Sequence, residues 1–159
     1  MLKRRSIIIM LCLLLLPTLC LSSPLIGKTA PGFNLKSIEN KAVSLKQLRA
    51  KGHVMLVFWS PECVYCLSHI KHLNELQKKY KNRLTVAAIN FSGEHISDVK
   101  TYIGSYGPKY LFLADRIKNI DVAEAYKVIG SPTIVIVSPK GKVLFYGYKI
   151  PTLTKWIKL

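Results

Sequence analysis

Two cysteines three residues apart, in Cys63-Val64-Tyr65-Cys66, are the residues of this chain best suited to chemistry. A thiolate is a nucleophile, and a neighbouring thiol can displace whatever the first one captures, so a C-x-x-C pair can carry out thiol–disulfide exchange. Other chemistries use the same letters. The pair could form a static disulfide, although so short a loop closes little chain and is a poor staple. It could be half of a metal site, since His69 and His72 extend it to C-x2-C-x2-H-x2-H. Successive i+3 steps rotate around a helix, however, and four such ligands do not converge on one ion without breaking it. Covalent haem attachment needs His directly after the second Cys, where this chain has Leu67.

The surrounding pattern positions the pair. Residues 53–59 (HVMLVFW) form a continuous apolar run, the signature of a strand buried on both faces. Pro61 then opens a predicted helix over 62–80, with Leu67, Ile70, Leu73, Leu76 and Tyr80 as its apolar stripe. The Cys pair therefore falls where a buried strand meets a helix N-terminus. Unpaired N–H groups there stabilise a thiolate at Cys63, the expected exposed nucleophile, and Cys66, one turn on and more buried, is the resolving thiol. A second signal is Ser131-Pro132, directly before the apolar run TIVIV at 133–137. Proline is permitted at the first residue of a strand. A cis bond there would present the Ser131 backbone to an incoming peptide for strand-like pairing.

The remaining elements complete an α/β pattern. Residues 24–43 read as an irregular lead-in with short extended pieces. Ser44 caps a short helix over 45–50 that Gly52 stops. Further strands are expected at 84–91, 110–114 and 143–148, and helices at 95–106, 119–126 and 152–159. Strands alternating with helices, closed by a hairpin at Pro139-Lys140-Gly141-Lys142, give a mixed central sheet with helices on both faces.

At 159 residues and 50% hydrophobic, the chain suits one buried core and excludes a disordered or collagen-like protein. Its N-terminus is a separate case. Lys3-Arg4-Arg5, an apolar run at 7–16, Pro17 and small residues near Ser22 describe a secretory signal peptide over 1–22, or an uncleaved membrane anchor. Leu19 is bulky where lipid attachment at Cys20 would want a small residue. If the leader is removed, Cys12 and Cys20 leave with it, and 23–159 carries Cys63 and Cys66 alone into an oxidising compartment. The net charge of +16 favours an anionic lipid surface or an acidic partner over nucleic acid, because the lysines are scattered and the leader points outward.

Taken together, the chain resembles the thioredoxin-fold superfamily, specifically the TlpA/ResA-like thiol–disulfide oxidoreductases, over about residues 25–150. The resemblance is carried by Gly27-Lys28-Thr29-Ala30-Pro31-Gly32-Phe33, by 57–66 (VFWSPECVYC), by Ala88-Ile89-Asn90 with Glu94, by Asp115, by Ala125-Tyr126-Lys127-Val128, by Ser131-Pro132-Thr133 and by 139–143. It implies a thioredoxin core, an extra N-terminal hairpin, and a helix–strand insertion at 93–114. It further implies Cys63 as nucleophile, Cys66 as resolving thiol, Pro132 as the cis-proline, Trp59 as the tryptophan ahead of the site, and Glu94 as a buried acid near the pair. Ser131, Tyr65 and Trp59 are the expected substrate-contacting residues. Neither metal nor other cofactor is implied.

Two positions depart from the family pattern. Glu62 stands where a tryptophan is usual, and Tyr65 where a proline is usual; an acid beside Cys63 opposes its thiolate. The implied activity is disulfide exchange with extracytoplasmic protein substrates, mainly as a reductant fed by a membrane thiol donor, with cytochrome c maturation as one setting. Three alternatives use the same pair. A periplasmic copper carrier would be expected to use C-x3-C. A disulfide oxidase differs in potential alone. A peroxidase would share Ala30-Pro31-Gly32-Phe33 but needs Thr three residues before its cysteine, where Ser60 stands.

Overall fold

The computed structural model describes residues 25–158; the leader, Cys12 and Cys20 lie outside the described residues. The seven-residue apolar run at His53–Trp59 is the third strand, β3, and the middle of a five-stranded sheet. Its neighbours are β4 (Leu84–Asn90), parallel, and β6 (Thr133–Val137), antiparallel. Strands β5 (Leu111–Leu113) and β7 (Val143–Gly147) form the edges, giving the order β5-β4-β3-β6-β7. A separate hairpin, β1 (Asn34–Lys36) with β2 (Ala42–Ser44), precedes it.

Alternation along β3 divides the core. Val54, Leu56 and Phe58 face one side and pack with Leu35, Leu45, Leu48 and Tyr126. Met55 and Val57 face the other and pack with Leu73, Tyr80 and Ile157. Helices cover both faces: α1 (Leu45–Arg49), α2 (Val64–Ser68), α3 (Ile70–Lys79), α4 (Ile96–Gly104) and α5 (Arg116–Ala125). Ser44 caps α1 in a capping box with Gln47. Gly52 has φ +141°, and a Cβ there would lie 2.6 Å from the Arg83 carbonyl oxygen, so this turn accepts glycine alone. The fold is thioredoxin-like, with β1–β2 as the N-terminal extension and α4–β5 as the insertion.

Local boundaries differ from the sequence reading by more than one residue in four places. The single helix expected at 62–80 is two helices meeting at His69, where the Ser68 hydroxyl donates to the Tyr65 carbonyl at 2.9 Å. α5 starts three residues early, at Arg116, where Asp115 accepts from Lys36 N–H at 3.1 Å and fixes the entry. α4 is shorter at both ends than 95–106. The helix expected at 152–159 is a 3-10 turn, Leu153–Lys155, whose job is to bury Leu153 and Ile157. Among the described residues no helix is long and apolar enough to cross a membrane.

Candidate active site

β3 ends at Trp59, and the chain turns through Ser60-Pro61-Glu62 into α2, so Cys63 becomes its N-cap. Cys63 and Cys66 are joined as a disulfide, with Cα atoms 5.2 Å apart. The Cys66 backbone N–H donates to Cys63 Sγ at 3.1 Å. On reduction this first-turn donor faces a sulfur that can carry negative charge, which stabilises the Cys63 thiolate.

Burial corrects one expectation. Cys63 was expected to be the exposed thiol, yet it is 8% exposed against 6% for Cys66. Both pack in a cluster with Trp59, Ala88, Val99, Ile103 and Phe112, and the inserted α4 supplies Val99 and Ile103. The two side chains between the cysteines are exposed instead: Val64 at 74% and Tyr65 at 75%. Cys66 also lines a small, mostly apolar cavity of about 10 Å³ with Val57, Trp59, Ile70 and Phe112.

The Ser131–Pro132 peptide is cis. Its loop meets the Cys loop through the Ser60 and Ser131 hydroxyls, 3.4 Å apart. Pro132 and Tyr65 line one surface groove, together with His69, His72, Tyr148, Lys149 and Ile150. Trp59 is buried, and its indole N–H has no hydrogen-bond partner among the described residues. Half-buried Glu94 accepts from Ser92 Oγ at 2.7 Å, and Ser92 Oγ accepts from Asn90 Nδ2 at 3.3 Å. Since Asn90 pairs with Trp59 across β3–β4, this chain of polar groups ends beside the site.

Three supporting groups had no local sequence signal. Tyr102 of α4 stacks on Trp59 and donates its hydroxyl hydrogen to the Pro61 carbonyl. Phe112 meets Trp59 edge-on, with centroids 5.5 Å apart. Buried Asn119 donates to the Asn90 and Leu113 carbonyls at 2.6 and 2.8 Å, tying together the ends of β4 and β5. Burial, and then the neighbouring Tyr106, raise the Tyr102 phenol above its ordinary pKa.

The C-x2-C-x2-H-x2-H series of the sequence divides in space. Cys66 lines the interior cavity, whereas His69 and His72 line the outer groove. Partial burial, and then the neighbouring His72, lower the His69 pKa. Among the described residues no three His, Cys, Asp or Glu side chains group as metal ligands would.

A Cys pair capping a helix at the end of a central parallel strand, beside a cis-proline loop, is the working part of thioredoxin-fold thiol–disulfide oxidoreductases, and that is the class of this chain. It belongs to the AhpC/TSA family, whose model matches residues 26–146. It is 33% identical over 120 residues to the thiol-disulfide oxidoreductase ResA of Bacillus thuringiensis subsp. konkukian, covering 75% of this chain and 67% of that protein. It is 31% identical over 131 residues to the thioredoxin-like protein YneN of Bacillus subtilis, covering 81% and 74%. The thioredoxin domain of a thiol-disulfide oxidoreductase from Bacteroides vulgatus matches the fold with a TM-score of 0.71 at 22% identity, over 78% of this chain and 89% of that one.

Proposed function

We propose that this chain works outside the cytoplasm as a reductant of protein disulfides. The observation that carries the protein-substrate reading is the contrast at the site. The disulfide is more than nine-tenths buried, while Val64 and Tyr65, the two residues between its cysteines, form an exposed, largely apolar rim beside it. Such a rim suits a polypeptide surface better than a small solute. In the dithiol form, Cys63 thiolate bonds to one substrate sulfur as the substrate S–S bond breaks, and the other substrate sulfur leaves as a thiol. Cys66 then attacks Cys63, the mixed disulfide breaks, and the second substrate thiol leaves. The protein has lost two electrons and two protons to the substrate. A dithiol donor at the membrane restores it.

Tyr65, Ser131 and Pro132 are the substrate-facing residues of this reading; Trp59, expected among them, is buried beneath the loop and supports it instead. Ser131 offers backbone for strand-like pairing. Glu94 takes the proton that Cys66 releases before it attacks. The leader-like residues 1–22 support the location, as signal or as anchor, followed by a single domain over 23–159. The basic balance supports contact with an anionic membrane surface; Lys71, Lys78, Lys81 and Lys109 gather around one depression. The C-x-x-C-H segments that receive haem in c-type cytochromes are one substrate class of this kind.

Direction follows from Glu62, which is exposed beside Cys63. Its charge opposes the Cys63 thiolate and so destabilises the reduced pair, which makes the pair more reducing. The basic surface acts oppositely, but solvated lysines are screened within about 10 Å. Equilibration with glutathione at pH 7 tests this: a potential below about −220 mV fits a reductant, and one near −120 mV makes the protein an oxidase.

A further inference from the structure

The outer groove beside the Cys pair has a character of its own. Tyr65, His69 and His72 lie at i, i+4 and i+7, one stripe across the α2–α3 junction. Cys66, Ile70 and Leu73 form the other stripe, turned into the core. The opposite wall is Tyr148, Lys149 and Ile150, just past the end of β7. The groove encloses about 560 Å³ and reaches Pro132 at the cis-proline loop. Any chain that pairs with that loop and runs toward β7 must cross it.

Its chemistry is one-sided. Three of the seven lining residues are basic, two are tyrosines, and none is a carboxylate. His72 has a neighbour in Glu75, 3.8 Å away on an exposed pair. Neither of the two ion pairs among the described residues involves Lys149. His69 Nδ1 is buried, which leaves Nε2 as the ring nitrogen that can meet a ligand in the groove. Tyr148 is 51% exposed, leaving its hydroxyl open to a ligand.

We infer that this groove selects the polypeptide flanking the substrate disulfide, and selects segments that carry acidic side chains next to the reactive cysteine. The inference rests on the exchange activity proposed above. Lys149 meets the carboxylate as a mobile point charge at the rim, His69 and the tyrosine hydroxyls serve as hydrogen-bond partners, and the Tyr65 ring covers the segment's apolar part. Position in the groove, beside Pro132, makes the selection act on the bound segment rather than on remote encounter.

Two peptides test this. Each carries one cysteine as a mixed disulfide with 2-mercaptoethanol; they differ in having Glu or Lys two residues to either side. Reduction by the dithiol protein releases peptide thiol and 2-mercaptoethanol and leaves the Cys63–Cys66 disulfide. The Glu peptide is expected to react about fivefold faster at low salt, the span of one well-placed exposed charge pair. Lys149→Glu should bring the ratio to one or below. Lys100→Glu, an equal charge change on exposed α4, should leave it in place. A ratio near one in the natural protein overturns the inference. So does a ratio untouched by Lys149→Glu, or one that Lys100→Glu abolishes equally, since that is steering by net charge. If the dithiol protein also leaves neutral 2-hydroxyethyl disulfide unreduced, the exchange reading itself falls, and the groove's role with it.

Discussion

The ring of Tyr102 stacks on that of Trp59, with centroids 6.0 Å apart and planes 21° apart. Tyr102 belongs to the inserted α4, and Trp59 ends the central strand that delivers the Cys pair. The Tyr102 hydroxyl also holds the Pro61 carbonyl, two residues before Cys63. The insertion is therefore a clamp on the active loop as well as an addition to the sheet edge. Tyr102→Phe keeps the stacking and removes the hydrogen bond. It should cost about 1 kcal/mol, seen as a melting temperature lower by roughly 3 °C in a domain of this size. Tyr102→Ala removes both, and should cost about 3 kcal/mol. Equal melting temperatures for the natural protein and Tyr102→Ala would show that α4 does not grip the loop.

The two cysteines should fail differently. Cys63→Ala removes the attacking sulfur and should abolish exchange. Cys66→Ala leaves a Cys63 that attacks and then stalls as a mixed disulfide with its substrate. Mass spectrometry of each variant after exposure to a disulfide peptide checks the assignment. An adduct on Cys66 in the Cys63→Ala protein, with none on Cys63 in the other, would reverse the two roles.

Glu94 offers a kinetic test. It accepts from Ser92, which accepts from Asn90, the register partner of Trp59. Without its carboxylate, Glu94→Gln should slow the second step, the attack by Cys66, by about tenfold or more. Formation of the mixed disulfide by Cys63 should be unaffected, and the pH–rate profile of the second step should change shape. Superimposable profiles would make Glu94 a loop acid that serves Ser92 alone.

Much of this site was legible because its parts are local. A continuous apolar run marks a strand buried on both faces, and His53–Trp59 is one. Cys63 and Cys66 are three residues apart, so a helix start suffices to bring them together, and Ser131-Pro132 announces itself before an apolar strand. What was not legible depends on contacts between distant segments. Cys63 is buried by Val99, Ile103 and Phe112, roughly 35–50 residues onward in the chain. The groove joins Tyr65 to Lys149, and no period in the sequence links them. The helix junction at His69 is local, but an apolar stripe at helical spacing runs through it unbroken and does not reveal it.

Two histidines contribute to the response of the fold to acid. Burial lowers the pKa of His53, against a hydrogen bond to Arg83 backbone that raises it, and burial with the nearby His72 lowers that of His69. Unfolded, both imidazoles take up a proton near pH 6.5. Folded, they take it up at lower pH. Between those values the unfolded chain binds more protons, so stability rises with pH there. The contribution is constant above about pH 7 and is lost as pH falls through 6.5 toward the folded pKa values. The melting temperature should thus drop between pH 7.5 and pH 5.5, and the double variant His53→Gln/His69→Gln should flatten that slope. A melting temperature that holds steady or rises across this range in the natural protein would mean that neither histidine is held neutral by the fold.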